Sequence, residues 1–527
     1  MACVIAAPCS GSGKTLVSLC LAALARRRGL HLQPFKVGPD YLDPQLLGEV
    51  AGRPCRNLDP LLCGEAWVRR CFQWHGSRAQ RVLVEGVMGL FDGRGPGSEG
   101  STAAVAALLD LPVVLVVEAS RQAGSLAALV RGFRDHGPPP VRLAGVVLNR
   151  VGSDRHRALL AEALAAIEVP LLGVLPHDPS LLLPSRHLGL LPPGELDDLA
   201  ERRGAWAQLA ERHLDLEGLW PLLAPPAPPP AGSPDPIRWS LARACHQAAA
   251  TASGAMEVAA MEVAAGAAGR RPAQPSPAGA TTPPPPLPAG SPSALAMAAP
   301  LPVAIASDQA FHFRYPEAAE LLQALGLDPQ PWSPLADAPL PPGCRAVLLP
   351  GGYPELHAEA LAAARRSLAE LAAAAAAGLP IVAECGGLLL LGRSLHDSDD
   401  RPHAMAGVLP FSARRGSLTL GYRQALASRD GLLVRRGERF CGHEFHRWQL
   451  QGEETVTGSA GLWQLEGWGW SRRQEGWMND GLHASWLHLH WAGCPVIPLR
   501  LAAAAASAGP LPMSGASCSA PRPAPPR

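Results

Sequence analysis

Two short strings, more than 350 residues apart, carry the chemistry of this 527-residue chain: Ser10-Gly11-Ser12-Gly13-Lys14-Thr15 and Ala383-Glu384-Cys385-Gly386-Gly387. In the first, a glycine-rich turn lies between the apolar run Ala2–Ala7 and a stretch of helical apolar spacing, Leu16–Arg28, closed by Gly29. A strand–turn–helix of that kind aims backbone N–H groups and a helix N-terminus at one point, where phosphate oxygens fit. Lys14 would reach the β- and γ-phosphates and the Thr15 hydroxyl would ligate Mg²⁺. Pro8 stands where the longer Walker pattern has its first glycine, so this is the shortened form. The second string is a sharp turn after the run Pro380–Ala383, presenting a thiol at the start of the apolar stretch Leu388–Leu391. Such an elbow lifts one nucleophile while neighbouring amides form an oxyanion hole, and a helix N-terminus favours the thiolate. One chain with both could activate a substrate with ATP and release ammonia from a second, which points to glutamine-dependent amide formation.

Further polar groups fall where these two sites need them. Glu85 ends the apolar run Val82–Val84 and opens Glu-Gly-Val-Met-Gly-Leu-Phe-Asp-Gly; a carboxylate at the end of a parallel strand faces the ligand crevice and could serve Mg²⁺. Asp40 and Asp43 stand in a turn framed by Pro39 and Pro44, and read equally as turn formers or as carboxylates fixed near a phosphate. Leu349-Pro350-Gly351-Gly352-Tyr353 is a second strand-to-glycine turn able to bring N–H groups to the oxyanion. His488 and His490, two apart, are expected on one side of an extended segment and offer a base for Cys385. Gly442-His443-Glu444-Phe445-His446 lacks the His-Glu-x-x-His spacing of a zinc site.

The elements that must position these residues alternate β and α. Val82–Val84, Val113–Val117 and Leu143–Leu148 are continuous apolar strands suited to a parallel sheet covered on both faces. Strands are expected again at Pro302–Ala306, Ala346–Leu349 and Pro380–Ala383, with an Ala-rich helix over 358–377. The predicted organisation is a phosphate-binding domain at 1–223, an Ala/Pro-rich disordered linker at 224–300, a thiol-bearing domain at 301–503 and a disordered tail at 504–527. The linker includes a doubled Met-Glu-Val-Ala-Ala at 256–265. The 46 basic and 45 acidic residues nearly cancel, which gives no electrostatic signal for nucleic acid or an anionic membrane. No run suggests a membrane span, the phosphate loop comes too early to leave room for a signal peptide, and twelve scattered cysteines form no Cys-x-x-Cys pair. A reducing cytoplasm is the expected compartment.

Taken together, Ser10–Thr15, Lys36–Asp43, Asn57-Leu58-Asp59, Glu85–Gly93, His187–Leu190, Pro350–Glu355, Ala383–Gly387, Leu420–Arg423, Gly442–His446 and Ser485–Trp491 resemble, in order, the cobyrinate a,c-diamide synthase family of corrin biosynthesis. The resemblance implies an α/β protein with a P-loop, dethiobiotin-synthetase-like parallel-sheet domain and a class I glutamine amidotransferase-like α/β domain. By that analogy Ser10, Gly11, Ser12, Gly13, Lys14 and Thr15 bind MgATP, and Thr15 and Glu85 serve the metal. Asp40 and Asp43 lie where the family handles an acyl phosphate and its aminolysis, and Asn149 lies where related enzymes read adenine. Cys385 is then the glutaminase nucleophile and His488 its base. The implied substrates are ATP, L-glutamine and cobyrinate; a homodimer is allowed. Two departures stand out: Ala383 replaces the usual elbow glycine, and His490 stands where many class I glutaminases carry glutamate, which leaves the third triad member unassigned. Hydrogenobyrinate or nickel sirohydrochlorin would suit the same machinery. A cobyric acid synthase would carry a Gly-Ser-Pro-type string after Glu85. A partitioning or scaffold ATPase with a non-catalytic C-terminal domain would have no use for Cys385 and His488.

Overall fold

Short apolar runs become most of the strands of two largely parallel sheets because they are buried on both faces, where β-branched side chains pack without polar compensation. The computed structural model describes residues 2–178, 185–186, 189–190, 192–245, 299–452 and 461–509. Its first sheet contains β1 (Cys3–Ala6), β2 (Leu32–Val37), β3 (Arg56–Leu58), β4 (Arg81–Glu85), β5 (Val113–Glu118), β6 (Leu143–Val151) and β7 (Leu171–Pro176). They run parallel in the order β3-β2-β4-β1-β5-β6-β7. Helix α1 (Lys14–Arg27) starts in the phosphate loop and α2 (Leu42–Ala51) starts in the Asp40–Asp43 turn, so both candidate sites lie at the carboxyl ends of central strands. A small hairpin follows, β8 (Ser185–Arg186) with β9 (Gly189–Leu190); His187 and Leu188 of the family-like string lie outside the described residues.

The second half holds β10 (Leu301–Ala306), β11 (Leu327–Trp332), β12 (Ala346–Leu349) and β13 (Ile381–Glu384), parallel neighbours in one sheet. An antiparallel sheet lies beside it, with β14 (Ser394–His396), β15 (Pro402–Ala404), the long pair β16 (Ser412–Ala427) and β17 (Arg439–Gln451), β18 (Trp463–Gly467) and β19 (Trp470–Glu475). Strands β20 (Trp477–Met478) and β21 (Leu482–Ser485) complete the parallel-rich sheet, β21 beside β13. The two sheets join where His443 and His488 exchange backbone hydrogen bonds of 3.0 and 2.9 Å.

Three expectations are revised. The Ala-rich helix over 358–377 is two helices, Ala358–Ala363 and Arg365–Ala376. The break at Ala364 is held from outside: Asp337 accepts from the Ser367 amide at 2.8 Å, and the Ser367 hydroxyl donates to Ala338 O. Position 224 is not a packing boundary, because residues 236–245 are helical, Leu241 and Ala244 are buried, and Ser240 Oγ donates to Ala492 O at 2.7 Å. The rest of the expected linker, 246–298 with its doubled motif, lies outside the described residues. Helix Val496–Ser507 runs through the boundary placed at 503, burying Ala505; positions 510–527 are also outside them. Among the described residues no helix is long and apolar enough to cross a membrane.

Candidate active site

The phosphate loop is built around Gly13, which caps α1 at φ +110°. A Cβ there would overlap the Asn149 side chain, so both the conformation and the space require glycine. Asn149 Nδ2 donates to Ser12 O at 3.0 Å and its Oδ1 accepts from the Arg150 amide, which braces the loop from β6. Lys14 Nζ donates to Met88 O at 2.6 Å, and its pKa is lowered by burial and by Lys36. Ser10 and Gly11 are exposed at the loop's tip.

Lys36, not singled out from sequence, is the centre of this site. Its ammonium is buried and contacts Asp43 Oδ2 at 2.5 Å, Glu85 Oε1 at 2.7 Å and Asp40 Oδ2 at 3.6 Å. Burial alone would depress its pKa, but the carboxylates of Asp43, Glu85 and Asp40 hold it well above the usual lysine value. Asp43 is in turn held low: Lys36 outweighs its burial. Asp40, more distant from the ammonium, is pushed up to about 7 by burial and by Asp43. The signal was available in hindsight, since Lys36 pairs in register with Glu85 across β2 and β4.

The Thr15 hydroxyl donates to Glu85 Oε1 at 2.9 Å and lies 3.5 Å from Asp43. Glu85 Oε2 is buried without a hydrogen bond of normal geometry. This set of oxygen donors fits Mg²⁺. Among the described residues no group of three or more His, Cys, Asp or Glu forms a metal cage.

In the second half β13 delivers Cys385 into a strained turn, φ +49° and ψ −109°, where its amide donates to Ser485 O at 2.8 Å. Such strain in a non-glycine residue marks functional sites. Gly387 packs so tightly against Leu349 that a Cβ would overlap the Leu349 carbonyl, and Gly386 packs against Gly352, which sets the Pro350–Tyr353 turn against the elbow. Cys385 Sγ lies 3.7 Å from Phe445 O. His488 faces Cys385, and its Nδ1 is 3.8 Å from Glu384 Oε2. Burial would depress the imidazole; Cys385 and Glu384 outweigh it and raise His488 to about 10.

His490 does not share this site. Its ring stacks on Tyr315 with centroids 4.1 Å apart, and Nε2 lies 3.7 Å from Glu317. His488 is paired only through an isolated bridge to His443, and His490 lies outside any strand, its carbonyl accepting from the Gly493 amide in the turn that follows, so the face-sharing expected of a regular strand fails. His443 is buried beside His488, and its pKa is lowered to about 3 by burial and by His488.

The segment carrying His488 is held by Glu475, which accepts from Ser485 Oγ at 2.6 Å and from the Trp486 amide at 2.8 Å. Burial and Glu444 push Glu475 up to about 7. Its folded pKa exceeds the unfolded value of about 4.3, so the native state binds more protons between those limits. Stability at this site is therefore greatest at low pH and falls as pH rises to about 7, by roughly 3–4 kcal/mol. Glu475→Gln is expected to remove this component, which denaturant melts at pH 5 and pH 8 would measure as a flatter difference than in wild type.

The two halves meet over the site. Arg56 pairs with Glu317 at 3.0 Å and Glu320 at 2.5 Å, Tyr422 OH donates to Asp59 at 2.9 Å, and Gln45 Nε2 donates to His312 O at 2.8 Å. Tyr41 stacks on Phe313 and lies 5.1 Å from the His488 ring, centroid to centroid. A cavity of about 590 Å³ runs between the halves, with Ser10, Asp40 and Asp43 on one side and His443 and Phe445 on the other.

The chain matches the family model of the CobQ/CobB/MinD/ParA nucleotide binding domain over residues 3–191 and that of the CobB/CobQ-like glutamine amidotransferase domain over 302–495. It is 41% identical over 495 residues to a cobyrinate a,c-diamide synthase of Gloeobacter violaceus, covering 93% of this chain and 94% of that protein. It is 43% identical over 507 residues to a hydrogenobyrinate a,c-diamide synthase of Streptomyces coelicolor, covering 94% and 96%.

Proposed function

Because the chain belongs to the a,c-diamide synthase family of glutamine amidotransferases, we propose that it amidates the a and c acetate carboxylates of cobyrinate or hydrogenobyrinate, with ATP activating each carboxylate and glutamine supplying ammonia. The observation that carries this reading is the cavity between the halves that borders both the phosphate loop, at Ser10, and the thiol's neighbour Phe445.

In the glutaminase half, Cys385 Sγ attacks the glutamine carboxamide carbon, and His488 passes a proton to the departing ammonia. The amides of Gly352 and Gly386 suit the oxyanion, since a Cβ on Gly386 would lie only 2.9 Å from Gly352 N. His488 then activates water to cleave the thioester. In the synthetase half, Ser10–Thr15 cradle the ATP phosphates and Lys14 leaves Met88 O for the γ-phosphate while the substrate carboxylate attacks it. Mg²⁺, held by Thr15 and Glu85, would neutralise phosphate charge when bound. Ammonia attacks the resulting acyl phosphate and expels inorganic phosphate. Asp40, with its pKa near neutrality, takes the proton released. Lys36 keeps Asp43 ionised and holds Glu85 in place. Asn149 positions the loop, which places it beside any bound nucleotide.

Glu384 takes the orienting part that the class I glutamate plays elsewhere. Its carboxylate faces His488 Nδ1 and favours the imidazolium formed as Cys385 ionises. Glu384→Gln is expected to lower glutaminase kcat by roughly 10- to 100-fold, within the general acid–base contribution, and to lower the His488 pKa. That pKa would be read by imidazole NMR titration; an unmoved titration would remove Glu384 from this part. For the function as a whole, purified protein with ATP, glutamine and a panel of tetrapyrroles should yield a product carrying two amides by mass spectrometry. Conversion of none of them would refute the reading.

A further inference from the structure

Folding normally hides a tryptophan, yet Trp468 at the β18–β19 turn is 68% exposed. It is one of six large apolar side chains exposed among the described residues. Three of these six, Trp468, Leu420 and Met88, line the same interdomain cavity. An apolar rim gathered around one opening marks a binding face. The indole also crosses the domain seam: a Cβ on Gly95 would lie 2.7 Å from Trp468 Cγ, so the glutaminase-half hairpin sits directly on the loop that follows Glu85. A second cavity of about 350 Å³ adjoins the same indole and shares Arg94, Tyr422 and Arg423 with the first.

We propose that Trp468, Leu420 and Met88 clamp the apolar face of the tetrapyrrole macrocycle, with Arg94 beside them receiving one of its peripheral carboxylates. This inference rests on the function proposed above and names the surface by which that substrate is chosen. The other substrates do not account for the rim. Glutamine is small and polar, and the nucleotide phosphates belong to Ser10–Thr15, whereas a polycarboxylated macrocycle combines broad apolar faces with anionic edges. Asp40 and Asp43 line the same cavity, so a macrocycle held at the rim can direct an acetate side chain toward the activating site. Among the described residues the Arg94 side chain pairs with Glu99 at the surface, both side chains being partly exposed, and such a pair exchanges readily for a substrate carboxylate. Arg423, by contrast, is committed to buried Glu444 at 2.6 Å and shapes the wall.

The test compares Trp468→Ala and Trp468→Phe with wild type in steady-state amidation and in equilibrium binding of hydrogenobyrinate followed by its visible absorption. Trp468→Ala is expected to raise the tetrapyrrole KM and Kd by about 10- to 100-fold, as for loss of a central aromatic contact, with the KM values for ATP and glutamine unchanged. Trp468→Phe is expected to recover most of the affinity, which a purely structural latch would not do if thermal stability is equal in all three proteins. Unchanged tetrapyrrole KM in Trp468→Ala, beside an active wild type, would overturn the clamp alone. A wild type that amidates no tetrapyrrole would overturn the function first and the clamp with it.

Discussion

Cys385→Ala is expected to reduce glutamine-driven amidation by about 10³-fold or more, since no other group can form the thioester. The same protein should keep amidating with ammonium salts at high concentration. Sulfur's polar neighbours are Phe445 O, at 3.7 Å, and the His488 imidazole, which keeps Glu384 beside it when the thiol is gone. The elbow is held by backbone, through the Cys385 amide on Ser485 O and the packing of Gly387 under Leu349, and alanine leaves both intact. Parallel assays with glutamine and with ammonium chloride measure the outcome. Loss of both activities in a folded protein would contradict the division of labour between the halves.

Lys36→Met should do the reverse. The substitution keeps the stem's length but leaves Glu85, fully buried, and Asp43 without their shared cation. Breaking a buried pair from one side costs about 3–5 kcal/mol, which chemical denaturation would register. Amidation is expected to disappear with either nitrogen source, because the carboxylates that face Thr15 lose their arrangement. Cys385 and His488 belong to the other half, so thioester formation from glutamine should persist. Wild-type amidation by Lys36→Met would remove Lys36 from the account.

The parts legible in sequence were those written in consecutive residues. Ser10–Thr15 and Ala383–Gly387 each specify a turn whose backbone creates the site, so the string carries its own geometry. Asp40, Asp43 and Glu85 were found separately, but their common partner depends on β2 lying beside β4 in register, which sequence does not state. Glu384 was hidden for a related reason: a side chain next to the nucleophile in a strand should face away from it, and only the strained elbow lets both reach His488. His490 misled because alternation holds within a regular strand, and β21 ends at Ser485 before either histidine. The composition of 224–245 resembled a linker, although Ser240, Leu241 and Ala244 dock on ordered structure. Those are tertiary facts, set by distant residues.

The central claim is that ammonia made at Cys385, beside Phe445, is consumed at the Ser10–Asp40 side of the cavity between the halves. Turnover with amide-¹⁵N glutamine in the presence of excess unlabelled ammonium, at pH 7, tests it most directly. The account predicts a diamide carrying two heavy nitrogens with little dilution, because ammonia passes between the halves without mixing with solvent. A product whose label falls to the bulk ammonium ratio would contradict it.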